Sequence, residues 1–175
     1  MTAAGPTRVE VVPPDEVRAG VDVLADRLVA DMQGVARWAL VGIRTGGTPL
    51  ADRLAERVRA RGLTPLRGDV DITLYRDDLY TGVERAVVGD TDLPFEVTGC
   101  GVVLVDDVLF TGRTVKAAMD EVCDFGRPAF IKLVAFVDRG HRELPIAADY
   151  VGCTLSTDKR AKVVVDWVGD RVWLA

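Results

Sequence analysis

The chain has 175 residues, 49% apolar and 28% charged, and its 22 basic against 27 acidic side chains leave a net charge of −5. Such a composition suits a folded globular domain and excludes long disorder, because Leu, Val and Ile occur throughout. No uncharged apolar run approaches the roughly 20 residues of a membrane-spanning helix, and a pI near 4.9 gives the chain as a whole no attraction for nucleic acid.

Pro13 and Pro14 precede Asp15, a candidate N-cap. Val17, Val21, Leu24, Leu28 and Val29 then recur at helical spacing until Gly34. Trp38 to Ile43 is an apolar run that reads as a buried strand. A turn over Arg44 to Pro49 leads to a second helix marked by Leu50, Leu54 and Val58 and ended by Gly62. Val70 to Tyr75 alternates like a strand exposed on one face. From Arg76 to Gly99 the pattern dissolves into charges, Gly and Pro, too long for an ordinary connection, and is expected to form a flap or two-stranded arm. Gly101 to Val105 is a second buried strand. Val115, Ala118, Met119 and Val122 trace a third helix closed by Gly126, and Ala129 to Val137 another long strand. Shorter strands are expected at Tyr150–Val151, Val163 to Val165 and Val172 to Leu174. This alternation predicts an α/β fold with a mostly parallel central sheet flanked by helices, in a single domain over residues 1–175.

Cys100, Cys123 and Cys153 are odd in number, and no two stand at Cys-x-x-Cys spacing. Idle thiols in a reducing compartment are expected, not a disulfide framework or a zinc site. His141 is the single histidine and cannot build a His-rich metal site. Met1 to Glu10 has no apolar h-region, so no signal peptide and a cytoplasmic location are expected.

The most informative stretch runs from Val102 to Thr114. Four apolar residues form a strand, and Asp106 and Asp107 stand at its C-terminal end, where open α/β sheets bind ligands. Leu109 to Thr114 then offer a helix start with two threonines and a cation. Backbone N–H groups and the helix dipole bind phosphate there, Thr111 and Thr114 add hydroxyls, Arg113 adds charge, and Gly112 permits close approach. Carboxylates beside a phosphate cradle suit a sugar phosphate. The acids accept hydrogen bonds from ribose hydroxyls while the loop holds the 5′-phosphate. Neither a Walker loop nor a Rossmann fingerprint fits.

This apolar strand, acid pair and Thr-Gly-x-Thr run resembles the phosphoribosyl pyrophosphate (PRPP) signature of the type I phosphoribosyltransferases. The segments Asp71 to Asp78, Gly126 to Pro128, Val137 to Ile146 and Ala148 to Gly152 narrow the likeness to the PyrR family, from about Asp15 to Val165. The resemblance implies a type I phosphoribosyltransferase fold with a flexible flap and a small hood. It implies uracil phosphoribosyltransferase activity, in which uracil and PRPP give UMP and pyrophosphate, with Mg²⁺ held mainly through PRPP and no dedicated protein metal site. Asp106 and Asp107 would hold the ribose, and Val108, Leu109, Phe110, Thr111, Gly112, Arg113 and Thr114 the 5′-phosphate. Arg44, Thr45 and Gly46 would hold pyrophosphate, in a loop where the family often carries a non-proline cis peptide. This loop departs from the usual Thr-Arg-Gly by placing Gly46 where the family has a cation. Arg139 and the strand around Val163 would form the base pocket, with Asp138 orienting Arg139 or a water and His141 a structural turn residue. Arg76, with Asp77 and Asp78, would begin the flap that closes over PRPP.

The resemblance further implies a homodimer or homotetramer that binds the leader of pyrimidine-operon mRNA under control of UMP or UTP, through a basic face built from the first helix and the region near Gly152. Here the first helix carries Asp15, Glu16, Asp22, Asp26 and Asp31 against Arg18 and Arg27. Ala147 and Cys153 stand where the family tends to place basic residues, and Lys159, Arg160 and Lys162 form the nearby basic cluster. Two further readings stand beside this one: an enzyme whose RNA face is lost, and a purine phosphoribosyltransferase.

Overall fold

A computed structural model describes residues 8–72 and 90–175. The elements follow as β1 (Val9–Val12), α1 (Pro14–Met32), β2 (Trp38–Ile43), α2 (Gly47–Ala60), β3 (Leu66–Val70) and β4 (Gly101–Leu109). After these come α3 (Arg113–Asp124), β5 (Phe130–Asp138), β6 (Tyr150–Thr154), β7 (Val163–Asp166) and β8 (Arg171–Leu174).

Five strands form one parallel sheet in the order β3-β2-β4-β5-β6. β2 is buried along its whole length and β4 from Gly101 to Asp106, as strands covered on both faces must be. On one face Leu40, Val103 and Val105 meet Leu24 and Leu28 of α1 and Leu50 and Leu54 of α2. On the other, Val41, Val102 and Leu104 meet Val115, Ala118 and Val122 of α3. Alternate residues of one strand thus fill opposite layers. Strand order reverses between β2 and β4, because β3 lies outside β2 while β5 and β6 lie beyond β4. A parallel sheet opens a crevice at such a switch point, beyond the C-terminal strand ends.

A second, three-stranded antiparallel sheet of order β1-β8-β7 forms the hood. It is joined to the main layer by Phe136 of β5, whose ring meets Trp167 edge-on at 5.2 Å. Arg53 of α2 pairs with Asp170 at 2.5 Å and lies over the Trp167 ring. Arg18 of α1 reaches the same carboxylate at 3.2 Å. The turn between β7 and β8 is therefore tied to both helices of that face.

Several expectations are corrected. Pro13, not Asp15, holds the N-cap position of α1, and Pro14 opens the helix. Proline has no N–H to satisfy and its φ suits the first turn. The strand expected from Val70 begins earlier, at Leu66, because the parallel register sets Leu66 against Ala39 and Val70 against Ile43; the rest of that expectation, from Thr73 to Tyr75, lies outside the described residues. β4 continues to Leu109, beyond the expected end at Val105. β1 was not among the expected strands, since its partner β8 lies at the far end of the chain. Most of the expected flap, Arg76, Asp77 and Asp78 included, lies outside the described residues. At the edge of that stretch Asp92 exchanges two backbone hydrogen bonds of 2.8 Å with Asp69, and the Thr91 hydroxyl donates to Glu121 at 2.7 Å.

Candidate active site

β2 pairs with β4 only as far as Gly42 against Val105, whereas β5 follows β4 to Leu109. Asp106 and Asp107 therefore begin where β2 has ended, at the switch-point crevice. Asp106 is 6% exposed. Its Oδ1 accepts the Asp107 N–H at 3.0 Å. Burial, and then the neighbouring Asp107 charge, push Asp106 well above the ordinary carboxylate range, and burial also raises Asp107. Among the described residues no lysine or arginine forms an ion pair with either carboxylate, and Arg44 and Lys162 stand in the walls of the same cleft. A buried acid beside a half-buried one, neither ion-paired among the described residues, suits a ligand that brings hydroxyl donors or a hard cation.

This arrangement sets a pH dependence. The folded-state pKa of Asp106 lies above its unfolded value of about 3.9. The folded chain therefore holds that proton more tightly. The favourable contribution is complete below the unfolded pKa and is lost as pH rises through the folded one. Asp106→Asn removes that loss and is expected to raise stability at pH 8. The gain should vanish near pH 4, in thermal melts recorded across the range. A variant less stable at pH 8 than the unaltered chain would contradict the assignment.

Two helix N-termini flank the pair. After β2, the residues Arg44, Thr45 and Gly46 lead into α2, and the Arg44–Thr45 peptide bond is cis. The approach is close. A Cβ on Gly46 would collide with the Asp107 carboxylate, and one on Gly47 with the Val105 carbonyl. After β4, residues 110–112 lead into α3, with Gly112 at the N-cap position and φ of 91°. Neither helix has a side-chain cap. First-turn N–H groups, other than that of Arg113, which the Thr111 hydroxyl accepts, are thus left to bind anions, aided by the helix dipole.

The walls enclose a cleft of about 420 Å³ lined by Arg44, Thr45, Gly46, Ile72, Asp106, Asp107, Val108, Thr114 and the stretch from Lys162 to Val165. Eight of the residues singled out in the sequence thus share one cavity: Arg44, Thr45, Gly46, Asp106, Asp107, Val108, Thr114 and Val163. The others stand elsewhere. Leu109 is buried in the α3 layer. The Thr111 hydroxyl accepts the Arg113 N–H at 3.3 Å, and Arg113 pairs with Glu143 at 2.9 Å. Phe110 lies under the Arg139 guanidinium, 4.1 Å away.

Asp138 and Arg139 do not line this cleft. Asp138 was expected to orient Arg139 or a water; it pairs with Arg142 at 2.5 Å and accepts the Gly140 N–H at 3.0 Å. Arg139 donates to the carbonyls of Ala161 and Asp158, and burial lowers its pKa. His141 takes a φ of 60°, and its Nε2 lies 2.7 Å from the Thr157 carbonyl, a turn contact. Val164 and Val165 belong to the strand around Val163 that the resemblance assigns to the base, and they line the wall with it; Ile72 and Lys162 enter without having been assigned to the ligand. No local signal marks Lys162, because β7 reaches the cleft only through the hood.

An acid pair able to accept a diol, set between two anion-binding helix ends, suits a pentose phosphorylated at both ends. The fold and cleft are those of a type I phosphoribosyltransferase, and residues 15–168 match the family model of the phosphoribosyl transferase domain. The hypoxanthine phosphoribosyltransferase of Trypanosoma cruzi superposes with a TM-score of 0.73 at 19% identity, covering 94% of both chains. A hypoxanthine-guanine phosphoribosyltransferase from Bacillus anthracis does so at 0.70 and 19%, covering 85% of this chain and 84% of that one. At such identity the likeness is of fold alone. Sequence goes further. The Bifunctional protein PyrR of Pelotomaculum thermopropionicum is 48% identical over 159 residues, covering 90% of this chain and 88% of that protein. That of Deinococcus radiodurans is 47% identical over 152 residues, covering 86% and 83%. The chain belongs to the PyrR family.

Proposed function

We propose that this chain transfers the phosphoribosyl group of PRPP to uracil, giving UMP and pyrophosphate. We propose too that UMP or UTP in the same cleft promotes binding to the leader of pyrimidine-operon mRNA, by a cytoplasmic homodimer or homotetramer. The observation that carries the enzymatic reading is the acid pair, buried Asp106 and half-buried Asp107, between two helix N-termini without a side chain at the N-cap bonding back to them. The regulatory reading rests on the kinship with proteins named bifunctional.

The α3 N-terminus with Thr114 receives the 5′-phosphate. Arg44, Thr45 and Gly46 at the start of α2 receive pyrophosphate. Asp106 and Asp107 accept the ribose hydroxyls, and the wall from Lys162 to Val165 faces the base. As the bond from the anomeric carbon to pyrophosphate breaks and the bond to uracil N1 forms, N1 gives up its proton to solvent water and pyrophosphate leaves with the bonding electron pair. Positive charge grows on the sugar beside the two acids, and negative charge grows beside the α2 dipole. Catalysis is positioning plus charge stabilisation.

Among the described residues no group of three or more acidic, Cys or His side chains could cage a metal. The acid pair, ion-paired to no lysine or arginine among the described residues, offers hard oxygen donors, which fits a Mg²⁺ shared with PRPP. When bound, that ion neutralises charge on the departing pyrophosphate.

Pyrophosphate release from PRPP, measured with uracil, hypoxanthine and guanine in turn, is expected with uracil alone. Release with a purine would overturn the base assignment. For RNA, the charge picture is less adverse than the composition of α1 implies. Arg57 and Arg61 of α2 pair with Asp22 and Asp26, and Lys159 and Arg160 are exposed. UMP-dependent retention of leader RNA on filters, falling steeply with salt, is the expected result. No retention would leave the enzyme alone. Among the described residues no helix is long and apolar enough to cross a membrane.

A further inference from the structure

We infer that Arg139 is a positioning residue that couples the 5′-phosphate loop to the base-side wall of the cleft, in place of reading the base itself. The inference rests on the phosphoribosyl reading above and assigns that site an internal link.

Arg139 follows β5 and is 6% exposed. One terminal nitrogen donates to the Ala161 carbonyl at 2.7 Å. The other donates to the carbonyls of Asp158 at 2.8 Å and Lys159 at 3.4 Å. Those carbonyls precede Lys162, where the cleft wall begins. The guanidinium also lies over the Phe110 ring at 4.1 Å, and the backbone N–H of Arg139 donates to the Leu109 carbonyl at 3.1 Å. Leu109 and Phe110 lead directly into the phosphate loop. One buried cation therefore touches both halves of the site, while its own side chain is absent from the cavity lining. Of its nitrogens only Nε lacks an acceptor among the described residues. Most of its capacity to bind a base carbonyl is already committed. A planar fork with a stacking face is needed to do all this at once. A lysine ammonium supplies neither.

The consequence is a coupling between ligands. Phosphate that orders the loop around Phe110 also orders residues 158–165 through Arg139, and a base that orders that wall favours phosphate equally. Ribose 5-phosphate is the probe, since it carries the phosphate and no base. Amide hydrogen exchange is measured for the unaltered chain, Arg139→Lys and Phe110→Leu. In the unaltered chain the probe is expected to slow exchange at residues 110–114 and also at 158–165. In both variants slowing persists at 110–114 and is lost at 158–165. Phe110→Leu leaves Arg139 and its carbonyl bonds in place, so it reads the link even if Arg139→Lys folds poorly. Undiminished slowing at 158–165 in Phe110→Leu, or none there in the unaltered chain, overturns the coupling alone. No slowing at 110–114 in the unaltered chain overturns the phosphoribosyl reading beneath it. In turnover, Phe110→Leu is expected to raise KM for uracil about 3- to 30-fold, as loss of a desolvated cation–π contact implies. 2-Thiouracil and 4-thiouracil should rise by the same factor in Arg139→Lys as uracil does. A change in their ranking marks direct contact with a base carbonyl and overturns the positioning role.

Discussion

Asp107→Asn is expected to lower uracil-dependent release of pyrophosphate by about 10²–10³-fold, the loss typical when one preorganised charge-stabilising group is removed. Asparagine keeps the shape of the side chain, so the contact with Gly46 and the strand register are preserved. What changes is charge. Asp107 stands beyond the point where β2 ends, beside the sugar on which positive charge develops in the proposed reaction. The neutral amide can still accept from a ribose hydroxyl but no longer opposes that charge. Most of the loss should therefore fall on kcat, with a smaller rise in KM for PRPP. Steady-state kinetics with thermal melts as the folding control measure this. Turnover within twofold of the unaltered chain would place the ribose elsewhere.

Gly47→Ala is expected to destabilise the chain by about 1–3 kcal/mol, as overpacking of a filled interior does. Apparent affinity for PRPP should fall at least about tenfold, because a misplacement near 1 Å has such leverage on a positioned ligand. The added Cβ would overlap the Val105 carbonyl oxygen and lie 3.2 Å from the Asp106 Cα. α2 can relieve this only by withdrawing from β4. That movement carries Arg44, Thr45 and Gly46 away from the acid pair. Gly34→Ala is the control. Gly34 has a positive φ, of 85°, but nothing within 4 Å of an added Cβ. That variant should lower stability by about 1 kcal/mol and leave KM for PRPP unchanged. A Gly47→Ala protein with unaltered melting and KM would mean that the loop is not held as described.

The chemistry-bearing acids are legible in the residue order because they are contiguous with their strand and their helix start. Asp106, Asp107, Val108 and Thr114 lie within nine positions of one another, and local geometry sends them to one end of β4. Gly46 is legible as a departure from the family loop, and packing adds a physical counterpart. The Asp107 carboxylate fills the space that a side chain at position 46 would occupy. Arg139 is the opposite case. The family resemblance implies a base reader at this position, whereas its donors reach carbonyls about twenty positions further along the chain. No nearby residue reports that commitment.

Residue order was sufficient for the parallel α/β layer and for the turn that carries β4 into α3. Apolar periodicity, the helix-opening prolines and the glycines at positive φ act over a few neighbours, where backbone sterics and local burial dominate. The hood and the electrical state of the acid pair were decided by tertiary structure. β1 exists because Val9 pairs with Leu174, and Lys162 meets the cleft because β7 is carried there by that sheet. Asp106 departs from an ordinary carboxylate through burial beside Asp107. Burial is a property of everything packed around a side chain, and the atoms that exclude water from this one come from strands and helices widely separated along the chain.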